Sequence, residues 1–594
     1  MKGFYMKYSN EKNSQIIVSL LKQHGVRKVI ASPGSANMAI VVTLQNDPFF
    51  EIYSSVDERS AAYMACGLAE TSGETVAITC TGATASRNYL PGLTEAYYRK
   101  LPVVAITAFR GGADMIGQLV PQNIDRTQIQ HDVALISVDV PVVKDEEDAL
   151  YANRLVNQAL LETKRHGGGP VHINVAALYG NTFFDGDVPK SRCIHRYYAH
   201  DDFPAIKPDV KVAVFCGAIT RFTAKEQQTL SDFIKSHNSV VLCDHSVNYC
   251  GEGKVLSSLV SENATNPDLY PDLIIHIGEV SGDYPTMGVL QSSGAEVWRV
   301  SEDGEIRDYF GRLTNVFECS LSDFFGQYDS SLSSTHDYYN AWARRRKELV
   351  SWMPEFPYSH RWIAQKTSLL IPDNSILHFA ILNSLRTWNC FELPEHVRCF
   401  CNTGGFGIDG AISTMLGSAL ADPGKLNILV TGDLAFFYDM NALGNRHVLN
   451  NVRILLINNG TGGEFHMPYS SGSALGDTID PYVAATGHYQ WKSYDEYAVK
   501  PSSSPAGQWA ESLGFTYIAA HSKSDFEQSI SDFLDTNSKT PILMECFTFI
   551  DDDALAAKMI GDLDPTQRKK QEIRATVKKM LPKGVLETIK HIKK

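Results

Sequence analysis

The sequence predicts an α/β protein of three doubly wound parallel-sheet domains. Short apolar runs rich in β-branched residues alternate with helical stretches, and that alternation restarts twice after polar, proline-bearing breaks. At 594 residues the chain is also too long for one hydrophobic core.

In the first domain, 1–187, "KVIASPG", "VAITCTG", "PVVAITAF" and "GPVHINV" read as strands. Helical stretches such as "DERSAAYMACGLAETSG" separate them. A polar linker around 186–210 leads into the second domain, 188–355, with strands "KVAVFCG", "SVVLCDH", "DLIIHIG" and "AEVWRVS". The break "SWMPEFPYSH" opens the third domain, 356–550, with strands "SILHFA", "VRCFCNTGG", "KLNILVTGD", "VRILLINNG" and "PILMECF". Residues 551–594, opened by the acidic "DDDA", read as a basic C-terminal extension.

Bulk properties narrow the function classes. No apolar run approaches the roughly 18 residues of a membrane span. The segment "MKGFYMKYSNEKNSQ" lacks a signal-peptide core, so the expectation is a cytoplasmic protein. Eleven cysteines without CxxC or Cys/His ligand spacing read as free thiols. A net charge of −13 argues against nucleic acid as the main partner. The last thirty residues carry ten Lys and Arg against two Glu, a net of +8, which leaves −21 on the rest. Apolar positions Ile573, Val577 and Leu581, then Val585, Leu586, Ile589 and Ile592, predict two short amphipathic helices there, docked on the acidic body.

The chemistry-bearing signal lies in "KLNILVTGD", a helical stretch near 437–449, and "VRILLINNG". A βαβ unit makes its strands parallel, so both C-terminal ends share one sheet edge, where open α/β sheets bind ligands. Asp433 and Asn459, 26 positions apart, can therefore meet. One carboxylate and one amide oxygen suit Mg²⁺, which commonly leaves sites open for phosphate oxygens and water. Gly460, Gly462 and Gly463 allow close approach of a phosphate. Elsewhere, Glu58 beside Asp57 at the start of "ERSAAYMACGLAE" reads on its own as a helix-capping acid.

GD followed by this spacing and NN resembles the signature of thiamine diphosphate (ThDP) enzymes. "SPGS", "VDERSAAYMACGLAETSG", "NYLPGLTEAYY", "NSL", "GIDG" and "GDLAFFYDMNAL" are similar, stretch by stretch, to the SEPHCHC synthases of menaquinone biosynthesis. The resemblance implies a pyrimidine-binding first domain, a middle domain and a diphosphate-binding third domain. It implies Asp433, Asn459 and the Thr461 carbonyl as Mg²⁺ ligands. Ser384, Gly407, Ile408, Gly432, Leu434, Ala435, Gly462 and Gly463 complete the implied cofactor contacts. It also implies that Glu58 is the catalytic carboxylate on the pyrimidine ring, and Ile408 the apolar wedge that keeps the cofactor bent. The implied partners are a 2-oxo acid and an acceptor, in a homodimer or homotetramer whose site spans subunits.

The substrate positions depart from that family. Ala36 and Thr403 replace arginines, as does Trp388, with Arg386 two residues away. Ser32, Arg110 and Gln122 match, while Glu464 and His466 enter a loop that is usually apolar. Each arginine lost from a carboxylate pair removes about 1.5–3 kcal/mol. The expectation is therefore a ThDP- and Mg²⁺-dependent 2-oxo acid decarboxylase or carboligase with a changed substrate. A genuine SEPHCHC synthase and a non-catalytic ThDP-binding scaffold stay open as alternatives. An FAD-assisted synthase would need a nucleotide site in the middle domain, and "VFCGAIT" is too weak a signal for one.

Overall fold

The structure, a computed structural model, describes residues 7–111, 115–125, 129–219, 221–264, 266–328, 334–487 and 504–565. The chain divides into two compact units, Met1–Asp201 with Asp303–Glu318 and Asp202–Glu302 with Cys319–Lys594.

In the first unit the strands are β1 (Lys7–Ser9), β2 (Lys28–Ala31), β3 (Glu51–Ser54), β4 (Val76–Cys80), β5 (Val103–Arg110), β6 (Ser137–Val140), β7 (Val171–Ala177), β8 (Phe183–Asp185) and β9 (His195–Tyr198). Six form a parallel sheet in the order β3-β2-β4-β5-β7-β6. Successive residues serve opposite faces. Val29, Ala77 and Val104 enter one core with Ile17 and Leu20, while Ile30, Ile78 and Ala105 enter another with Ala61 and Leu93. A sheet covered on both faces needs unbroken apolar strands, which is why these were legible. β1 and β8 form a separate antiparallel pair.

In the second unit, β10 (Val212–Cys216), β11 (Ser239–Cys243), β12 (Lys254–Leu256), β13 (Leu273–Ile277) and β14 (Glu296–Ser301) run parallel in the order β12-β11-β10-β13-β14. The first unit's β15 (Leu313–Glu318) pairs parallel with β9. The other sheet of the second unit comprises β16 (Ile376–Phe379), β17 (Arg398–Cys401), β18 (Asn427–Gly432), β19 (Val452–Asn458), β20 (Thr516–Ala520) and β21 (Ile542–Phe547). Its order is β17-β16-β18-β19-β21-β20, with every pair parallel.

Two differences from the sequence reading have physical causes. β3, β6, β12 and β20 sit at sheet edges, where polar residues break the apolar run. The helix expected near 437–449 begins instead at Asp433, runs to Asp439, and continues as a 3₁₀ turn over Met440–Gly444. Asp439 anchors it by accepting from the Ser413 amide (2.6 Å) and hydroxyl (2.7 Å).

None of the eleven cysteines, all among the described residues, is in a disulfide. No helix among the described residues is long and apolar enough to cross a membrane. The basic tail and its two expected helices, 566–594, lie outside the described residues. The acidic start of that segment is a helix, Ile550–Gly561, belonging to the second unit.

Candidate active site

β18 and β19 pair from Asn427↔Val452 to Gly432↔Ile457, so they end together at one sheet edge. Asp433 follows directly and is 6% exposed. Its Oδ1 accepts from the Leu434 amide (2.7 Å) and its Oδ2 from the Gly460 amide (2.6 Å). The two strand ends thus meet through Asp433 and the residue after Asn459. Burial pushes the Asp433 carboxyl up to about 7, against the pull of those amides.

Asn459 is oriented from behind. Its Nδ2 donates to Asp553 Oδ2 (2.9 Å), and its Oδ1 accepts from the Thr461 amide (3.3 Å). Asp553 also accepts from the His360 amide (2.7 Å) and Thr548 Oγ1 (3.0 Å). Sequence reasoning missed Asp553 because it lies in a segment read as an extension. Its place one turn before Ala556 and Ala557, on the buried side of that helix, was the available signal.

These groups line a cavity of about 200 Å³. Gly432, Leu434, Ala435 and Thr461 form its wall with Asp433 and Asn459; Ser384 and Ile408 close other sides. Gly462 and Gly463 line it too, and side chains there would collide. A Cβ on Gly462 would sit 2.9 Å from the Ala484 carbonyl, and one on Gly463 2.9 Å from Asn459 Nδ2. Gly407 does not line it, because its loop turns toward Asp409, whose Oδ1 a Cβ there would meet at 2.3 Å. Leu382 also lines the cavity and holds φ at +72°, a strained backbone of the kind found at functional sites.

Two further lining residues were not foreseen. Arg361 (4% exposed) and His360 (7%) carry buried nitrogens, Nε and Nε2, without a hydrogen-bond partner among the described residues. Burial pushes His360 down to about 3, so it is neutral. Orphaned buried donors are costly unless a ligand satisfies them. Among the described residues no cluster of three or more His, Cys, Asp or Glu could hold a metal. The donor set here is sparser: one carboxylate, one amide and a backbone carbonyl. Such a set, facing orphaned donors across a glycine-lined cavity, fits a divalent cation with an anionic diphosphate.

In the first unit, Asp57 rather than Glu58 caps the helix Glu58–Ser72. Its side chain accepts from the Arg59 amide (2.9 Å) and Ser60 Oγ (3.1 Å). The capping role is thereby filled, and the half-buried Glu58 is not needed for it. The Glu58 charge acts on the phenol of Tyr89, which burial pushes well up.

The expected substrate positions scatter. Ser32 is buried, its amide donating to the Thr79 carbonyl (2.9 Å), and Ala36 belongs to the first unit's core. Arg110 is exposed at the end of β5; Gln122 is exposed with φ at +63°. Thr403 is buried away from the cavity, and Trp388 is fully buried. His466 turns to Asp480, Nε2 to Oδ1 3.0 Å, and does not line the cavity. Arg386 forms an ion pair with Glu464.

Residues 11–129 match the family "Thiamine pyrophosphate enzyme, N-terminal TPP binding domain". A 2-succinyl-5-enolpyruvyl-6-hydroxy-3-cyclohexene-1-carboxylate synthase of Bacteroides thetaiotaomicron is 33% identical, over 93% of this chain and 98% of its own. The synthase of the same name from Bacteroides fragilis is 34% identical with the same coverage. That of Flavobacterium johnsoniae is 25% identical over 90% of this chain and 96% of its own.

Proposed function

The chain belongs to the thiamine diphosphate-dependent enzymes, among relatives of the SEPHCHC synthases, and on that premise we propose that it decarboxylates a 2-oxo acid and transfers the product to an acceptor, with a substrate different from theirs. The observation that carries this is the meeting of Asp433 and Asn459 at one sheet edge, beside buried donors that lack a partner.

When bound, thiamine diphosphate supplies the nucleophilic carbon and the electron sink for decarboxylation. This chain's residues do the rest. Asp433, Asn459 and the Thr461 carbonyl would hold Mg²⁺. Arg361 Nε and neutral His360 Nε2 would donate to the diphosphate, supplementing the backbone around Gly462 and Gly463. Asp553 holds the Asn459 Nδ2, which leaves the amide oxygen as the atom that would serve the metal. Ile408, packed on the core of this sheet, presents an apolar surface into the cavity. Glu58 would hydrogen-bond the pyrimidine ring and serve its proton transfer.

What supports a changed substrate is the state of four positions where the resemblance leads one to look for substrate arginines. Ala36 and Trp388 are packed into cores, Thr403 is buried away from the cavity, and Arg386 is already paired. A second reading, in which the chain makes the relatives' own product, is supported by 33–34% identity across nearly their full length. A screen of 2-oxo acids for CO₂ release that depends on both ThDP and Mg²⁺, run alone and with the relatives' own donor and acceptor, separates the two. We expect turnover of at least one 2-oxo acid and none of the product that names the relatives. Formation of that product would establish the second reading, and no release from any acid would reject both.

A further inference from the structure

A second cavity, of about 770 Å³, adjoins the first within the same unit, and Glu464 is the residue that lines both. Arg386, on the short helix Asn383–Trp388, reaches into the larger cavity and is held on three sides. Its Nη1 pairs with Glu464 Oε1, and its guanidinium lies 5.1 Å from the Tyr284 ring and 5.4 Å from the Tyr469 ring. Tyr469 is itself fixed, donating from its hydroxyl to Asn383 Oδ1 (2.8 Å). An arginine clamped between two rings is preorganised for a planar, bidentate carboxylate. Here the carboxylate comes from the protein.

We propose that Glu464 is a specificity-determining residue: it occupies Arg386 as a built-in counter-ion, so the larger cavity admits an uncharged polar part of the substrate and turns away a carboxylate. The remaining lining agrees. Three acids, Glu262, Glu464 and Asp562, line it with two bases, Arg386 and Lys558, so the described lining holds no surplus of cations for an incoming anion. Burial raises the Glu262 carboxyl above its ordinary range, against the pull of Arg361 and Arg386. Glutamate covalently tethered beside its arginine also has an effective-concentration advantage over a diffusing carboxylate.

The inference rests on the proposed 2-oxo acid chemistry only in calling the ligand a substrate; the charge pairing is read by binding alone. The experiment titrates glutarate into the full-length protein by calorimetry, with and without ThDP and Mg²⁺. The wild type, Glu464→Gln and the double variant Arg386→Gln/Glu464→Gln are compared, each checked by thermal melting. We expect Glu464→Gln to bind glutarate at least tenfold more tightly than the wild type and the double variant to lose that gain. Equal affinity in the wild type and Glu464→Gln would overturn the proposal. So would a gain that persists without Arg386. Absence of ThDP-dependent chemistry would sink the proposed reaction while leaving this charge pairing standing.

Discussion

Asp553 accepts hydrogen bonds from Asn459 Nδ2, the His360 amide and Thr548 Oγ1, and so ties a proposed metal ligand to two other elements. Removing it frees the Asn459 amide to rotate and present nitrogen to the cation. Loss of such a supporting partner commonly costs 10–100-fold in metal affinity. Asp553→Ala should therefore weaken Mg²⁺ binding in the presence of ThDP by about that factor. Mg²⁺ titration giving an unchanged midpoint in a folded variant would remove Asp553 from the site. Glu58 and its neighbour make a sharper pair. Glu58→Gln should slow exchange of the cofactor's C2 proton by about 10²–10⁴ with the melting temperature kept. Asp57→Ala should lower the melting temperature through the lost cap and leave exchange intact. Deuterium exchange followed by NMR checks both, and exchange retained in Glu58→Gln would refute the catalytic role.

At the scale of elements, most interior strands were legible and most edges were not, β17 being an edge that was. "KLNILV" and "VRILLI" are buried on both faces, so their apolar runs are uninterrupted, and parallel pairing followed from the connection between them. "EIYS" and "TYIAA" are edge strands that carry exposed residues, and the sequence reading did not pick them out as strands. In the site, Asp433 and Asn459 were visible because strand ends are periodic features. Arg361 and Asp553 were not, because tertiary packing alone brings the helices His360–Thr367 and Ile550–Gly561 to that edge. One strand also carries a pH signature. His378 in β16 is stacked on Phe400, and burial lowers its pKa from 6.5 to about 4. Between those values the unfolded chain binds the extra proton, so stability is lost as pH falls from 6.5 through about 4. The contribution is up to about 1.4 kcal/mol per pH unit. The melting temperature of His378→Phe should drop less between pH 7 and pH 4.5 than that of the wild type; an equal drop would exclude His378 as a source.

For the whole molecule, Glu58 lies in one compact unit and the proposed metal ligands Asp433 and Asn459 in the other. We propose a homo-oligomer whose site is completed across subunits, which mixing can test. Inactive Glu58→Gln and inactive Asp433→Ala, unfolded and refolded together, should regain part of the wild-type activity, because some dimers then carry one intact site. The account as a whole stands on the claim that two parallel strands end together in order to hold a cation and a diphosphate. Calorimetric titration of ThDP into wild type and Asp433→Ala, each with and without Mg²⁺, tests that claim most directly. The account predicts that Mg²⁺ tightens ThDP binding in the wild type and that Asp433→Ala loses the Mg²⁺-dependent part, by at least about tenfold. A folded Asp433→Ala that binds ThDP with the same Mg²⁺ dependence as the wild type would contradict it.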